Sequence, residues 1–101
     1  MLMFNSNYFV YITSNTSRST YYIGVTNDLA RRLHEHFQNS GDKKTFAGRY
    51  YCYTLIYYER FSSPDEAIAR EKQLKNWSRS KKDILIRHLN PLLKSLNSLV
   101  T

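Results

Sequence analysis

Tyr8-Phe9-Val10-Tyr11-Ile12-Thr13, a polar interval from Ser14 to Ser19, and then Thr20-Tyr21-Tyr22-Ile23-Gly24-Val25 form the stretch whose reading decides the fold. Two β-branched and aromatic runs separated by a turn-prone segment read as a β-hairpin with a loop longer than a two-residue turn.

The segment after the hairpin reads as helical. Thr26 or Asn27 caps it, Asp28 suits its first turn, and Leu29, Leu33 and Phe37 recur every four residues until Ser40-Gly41, which predicts a helix over 28–38. Residues 39–48 show no periodicity and read as a loop, and Tyr53 to Glu59 reads as a third strand. Ser63, Pro64, Asp65 and Glu66 make an S-x-x-E capping box for a helix running to about Trp77. Ser78 or Ser80 opens a third helix that Asn90-Pro91 ends. The order ββαβαα predicts an α+β fold, a three-stranded antiparallel sheet flanked by helices. We read 1–91 as one domain and 92–101 as a C-terminal tail that adds another turn or frays.

With 101 residues the chain supports one core. Fifteen Lys and Arg against eight Asp and Glu give a formal charge of +7, which makes nucleic acid the leading class of partner. The single cysteine, Cys52, excludes an internal disulfide and the usual zinc and iron–sulfur spacings. Met1 to Ile12 carries no Lys or Arg and is interrupted by Asn5, Ser6 and Asn7, so a signal peptide is not expected and a cytoplasmic location is.

Three helical positions resist a packing explanation. At about 100° per residue, Arg32 and His36 border the stripe set by Leu29 and Leu33, whereas Arg31 and His34 face water. For His36 the bland alternative is a hydrogen-bonded histidine at the edge of the core; a guanidinium is rarely buried without an anion to meet it. Glu71 lies inside the apolar face set by Ala67 and Leu74, where a carboxylate is paired, protonated or bound to a metal. Arg70, Lys72, Lys75, Arg79, Lys81, Lys82, Arg87 and Lys94 crowd one stretch opposed only by Glu71 and Asp83, which suits phosphate contact as well as a solvated face. His34 and His36, two apart on a helix, diverge and cannot share an ion. Tyr50, Tyr51 and Tyr53 either stack on bases or fill a core. No phosphate-binding glycine loop, G-x-S-x-G or H-E-x-x-H is present.

These pieces resemble the GIY-YIG endonuclease family, and in particular its small stand-alone bacterial members, from about Tyr8 to Pro91. Tyr22-Ile23-Gly24 reproduces the second half of the name, and Phe9-Val10-Tyr11 stands in the first half with only the Tyr kept. Arg32 and His36 follow at the family's spacing, and Glu71 in Arg70-Glu71-Lys72-Gln73-Leu74 matches its acidic metal ligand. The resemblance implies metal-dependent cutting of DNA phosphodiester bonds, with a 5′ phosphate and a 3′ hydroxyl as products. Glu71 would hold one Mg²⁺ or Mn²⁺ beside the leaving 3′ oxygen. Tyr11 and Tyr22 would position the attacking water, one of them as base. Arg32 would hold the scissile phosphate, and His36 would assist with proton transfer or orientation. Lys43, Lys44 and Tyr50 compete for a further role after the first helix, and Asn90 for a late polar one. DNA, with RNA as an alternative, would lie on Lys43, Lys44, Arg70, Lys72, Lys75, Arg79, Lys81 and Lys82. Targeting would come from a partner protein, a homodimer or the shape of the nucleic acid. The rival readings are a non-catalytic DNA- or RNA-binding module on this fold and a basic domain that docks an acidic protein surface.

Overall fold

A computed structural model describes residues 7–101, so the reading of the first six residues lies outside it. Strands β1 (Tyr8–Ser14), β2 (Tyr21–Thr26) and β3 (Thr54–Phe61) form one antiparallel sheet in the order β2-β1-β3. β1 is central and is covered on both faces, and therefore Val10 to Ser14 are all buried with no polar alternation. Helices α1 (Leu29–Gln38), α2 (Phe46–Arg49), α3 (Pro64–Lys75), α4 (Arg79–Leu89) and α5 (Asn97–Val100) complete the described chain.

The pleat divides the core in two. Tyr11 lies opposite Gly24 in β2 and Tyr58 in β3, and this face packs Tyr11 and Leu55 against Leu29 and Leu33 of α1. The other face packs Val10, Ile12, Ile23 and Ile56 against Ala67 and Leu74 of α3 and Ile86 of α4. A bulge opposite Ile12 and Thr13 turns two consecutive residues, Ile56 and Tyr57, toward this second cluster.

Local chemistry explains where the elements begin, and where the sequence reading differs. The cap of α1 is Asp28, whose side chain accepts from Arg31 N at 3.0 Å; Thr26 instead accepts from Asp28 N. Residues 46–49 are helical, because Thr45 at the N-cap accepts from Gly48 N and starts the single turn of α2. Ser63 stands at the N-cap of α3, but its side chain makes no capping bond and the expected box does not form. Pro64, Asp65 and Glu66 are exposed there, and water can serve the free N–H groups. Ser78, not Ser80, caps α4.

Residues after Pro91 continue the same core. Leu93 is buried, Leu96 and Val100 pack on the Tyr11 cluster, and Leu96 N donates to Leu55 O at 2.8 Å. Asn97 accepts from Leu55 N and donates to Tyr53 O along the outer side of β3. Asn90 ends α4 and reaches inward, donating to Ile56 O at 3.0 Å and Lys94 O at 2.9 Å and accepting from Lys94 N at 3.0 Å. Asn90→Ala strands these buried groups and is expected to lower unfolding free energy by about 1–3 kcal/mol, read by urea denaturation.

Candidate active site

Four side chains from three elements converge on the α1 face of the sheet near β2. Tyr11 comes from β1, Tyr22 from β2, and Arg32 and His36, one turn apart, from α1. Tyr11 and Tyr22 share a face because Tyr11 pairs with Gly24, two residues from Tyr22. Gly24 is required here for space: a Cβ on it would stand 2.5 Å from the Tyr11 hydroxyl.

The Tyr11 hydroxyl is the hub. Arg32 Nε donates to it at 3.1 Å, and it lies 2.8 Å from His36 Nε2. With its oxygen accepting from the guanidinium, its proton points to His36, whose Nε2 is therefore the unprotonated nitrogen. Burial, only partly offset by the Arg32 hydrogen bond, raises the Tyr11 pKa well above the ordinary phenol value. Burial and then the Arg32 charge lower that of His36 to about 4. Burial also opposes the charge on Arg32, but the Tyr11, Tyr22 and Glu35 contacts outweigh it and the pKa is raised. The resting site is a neutral phenol and a neutral imidazole holding a permanent cation, which Glu35 meets on its outer side at 3.3 Å.

Tyr22, Arg32, His36, Asn39, Thr45 and Phe46 line a cavity of about 170 Å³. That is the space of about five waters at roughly 30 Å³ each. Tyr22 and Phe46 also wall a second cavity of about 300 Å³, completed by Tyr21, Ile23, Lys75 and Lys82.

Glu71 is separated from this cluster. It is on α3, whose buried face covers the opposite side of the sheet, and it is half-buried beside Ala67 and Leu74. Its carboxylate lies 3.5 Å from Lys75 Nζ, an exposed contact one helical turn away, and no described hydrogen bond links it to Tyr11, Tyr22, Arg32 or His36. Lys75, its ion-pair partner, lines the second cavity with Tyr22.

Other expected residues are distributed unevenly. Lys43 and Lys44 are exposed on the loop before α2, and Lys72 and Lys81 are exposed on α3 and α4. Arg70 is engaged internally, gripping Glu59 through two 3.0 Å bonds and lying over Trp77. Arg79 lies 3.5 Å over the Tyr21 ring and bonds Asp83 and the Ser19 carbonyl. Phe37, expected in the buried stripe, is 61% exposed, because His36 takes the inward place beside Leu29 and Leu33. Phe46 was missed by sequence reasoning, since a four-residue helix carries no periodicity to detect.

Among the described residues no group of three His, Cys, Asp or Glu could hold a metal ion. Glu71 fits a different demand: a single carboxylate with only one exposed lysine against it leaves lone pairs for a hard cation that completes its shell with water and phosphate oxygens. No helix among them is long and apolar enough to cross a membrane.

A three-stranded antiparallel sheet flanked by helices gathers two strand tyrosines, an arginine and a histidine into one cluster at the wall of a cavity, which defines the class of α+β domain. Residues 7–83 match the GIY-YIG catalytic domain, and the chain belongs to this family. It is 37% identical over 83 residues to a UPF0213 protein of Bacillus pumilus, covering 82% of each chain. It is 33% identical over 93 residues to one from Limosilactobacillus reuteri, covering 91% of this chain and 96% of the relative. The solution NMR structure of the UPF0213 protein BH0048 from Bacillus halodurans is similar at a TM-score of 0.55 and 32% identity, covering 94% of this chain and 98% of that one.

The low His36 value sets a pH dependence. The unfolded ring, ordinary near pH 6.5, takes up a proton that the folded ring refuses until about pH 4. The stability from the neutral ring is therefore complete above pH 6.5 and is lost as the pH falls toward 4. Thermal melts should show a decline worth about 2 kcal/mol by pH 5, and His36→Gln should flatten that slope.

Proposed function

We propose that this chain is a divalent-metal-dependent endonuclease that hydrolyses DNA phosphodiester bonds. Membership of a catalytic-domain family supports the class of reaction. The observation that carries the reading is Arg32, a half-buried cation held at Nε by Tyr11 and at Nη1 by Glu35, with its remaining guanidinium donors at a cavity wall. Such a group meets two non-bridging phosphate oxygens at once and stabilises the charge that builds on them.

Position supports the following division of roles. Tyr22 lines both cavities, which supports a role for its hydroxyl in orienting the attacking water. Tyr11 is fully buried and acts through Arg32, fixing the guanidinium. His36 fixes Tyr11 by accepting a hydrogen bond from its hydroxyl, and since it stays neutral above about pH 4 it adds no second positive charge. Glu71 would hold Mg²⁺ or Mn²⁺, which when bound supplies a Lewis acid for the leaving oxygen. The water oxygen bonds to phosphorus and the P–O3′ bond breaks, one water proton ending on O3′ and the other leaving to solvent, so that the products are a 5′ phosphate and a 3′ hydroxyl. Lys43, Lys44, Lys72, Lys75, Lys81 and Lys82 provide phosphate contacts along the strand, in a cytoplasmic setting.

A second reading, a binding module without chemistry, is favoured by one feature: the Glu71 carboxylate contacts Lys75 and not the Tyr11 cluster. One assay separates the two. The purified chain is incubated with Mg²⁺ or Mn²⁺ and a panel of nicked, flapped, branched and single-stranded DNAs. Cleavage should require the metal and fall at least about 100-fold in Arg32→Ala and Glu71→Gln, with thermal midpoints close to the parent. Salt-sensitive binding without turnover, indifferent to Glu71, would establish the module instead, with log affinity falling by about 0.9 per neutralised phosphate.

A further inference from the structure

We propose that Phe46 and Tyr50 form a stacking platform for an unpaired nucleobase, so that the strand taken by this site is single-stranded or splayed open next to the scissile phosphate. The phosphate's position rests on the nuclease reading; the platform itself is recognised by separate chemistry.

Helix α2 does not need these rings to stay docked. Ala47 and Gly48 anchor it by burial, and Cys52 N donates to Ala47 O at 2.8 Å. Yet Phe46 is 51% exposed and Tyr50 42%, leaving two large rings together in water. Their geometry is ordered. Phe46 stacks on Tyr22 with centroids 6.3 Å apart and planes 29° from parallel, and Tyr50 leans on Phe46 at 4.8 Å. On the inner side Tyr22 meets the His36 ring edge-on at 5.2 Å, and on the outer side the Arg49 guanidinium lies 5.8 Å from the Tyr50 ring centre.

Charge flanks this row of rings on both sides. The Tyr22–Phe46 pair separates the cavity holding Arg32 from the cavity lined by Lys75 and Lys82. A stack of aromatic rings with cationic hollows to either side suits a strand whose bases stack on protein while its phosphates meet the cations. Paired bases offer no such face, because both of their faces are already stacked inside the duplex and exposing one means unstacking it. The platform therefore selects for unpaired nucleotides and reads no base in particular.

The test measures binding by the full chain in chelator, where no metal-dependent cutting intervenes. Fluorescence anisotropy compares labelled oligothymidine, an equally long strand of abasic sites, and a blunt duplex. The wild type should prefer oligothymidine to the abasic strand. Phe46→Ala should weaken oligothymidine binding about 5- to 100-fold while changing abasic-strand binding by less than about twofold, and Phe46→Trp should restore it. If Phe46→Ala lowers the thermal midpoint, Phe46→Leu, which keeps apolar bulk without a ring face, is read in its place. Equal affinity for abasic and thymidine strands, or equal loss on both, would overturn the platform. A parallel arm with Mg²⁺ keeps the two readings apart. Base-dependent binding with no cutting of any DNA removes the nuclease and keeps the platform. Cutting of unpaired DNA that Phe46→Ala leaves unchanged does the reverse.

Discussion

One buried hydroxyl organises this molecule. Tyr11 sits on the central strand, and the space for its oxygen exists only because residue 24 lacks a Cβ. That oxygen accepts from a cation and donates to a neutral ring, using each capacity of a phenol once. Arg32 is thereby aimed and His36 held uncharged, and α1 is pinned to the sheet by polar bonds as well as by Leu29 and Leu33. The same contact joins α1 to the sheet and aims the guanidinium.

Neutrality at the hub is a physical requirement. Two adjacent cations in a partly desolvated cavity would repel each other, and a phenolate beside Arg32 would satisfy the guanidinium internally. Burial and the Arg32 charge together prevent the first, and burial of Tyr11 prevents the second. The cation meets only the partly exposed Glu35 as an anion, on its outer side, and keeps guanidinium donors for a phosphate.

Much of this was legible in the chain. Aromatic and β-branched runs gave the strands, and the angular position of Arg32 and His36 on their helix placed them at the edge of the core. Tyr11 and Tyr22 came from the resemblance, since a strand tyrosine looks the same whether it fills a core or serves a site. Other features were not legible because they arise only in three dimensions. Glu71 faces inward as its helix predicted, but its helix covers the other side of the sheet, and sequence spacing carries no information about which side a helix takes. Phe37 has apolar periodicity yet lies in water, because the stripe is only as wide as the sheet beneath it. Arg70 and Arg79 counted as surface charge in the sequence, whereas the fold gives them Glu59, Trp77 and Tyr21 as partners.

The outer side of β3 carries a further consequence. A strand at the border of a sheet normally displays free backbone donors and acceptors and invites another chain to add to it. Here the Leu96 amide and the carboxamide of Asn97 occupy those of Tyr53 and Leu55. Leu96 and Asn97 thus act as a short false neighbour, closing the Tyr53–Leu55 end of that border against growth into ribbons.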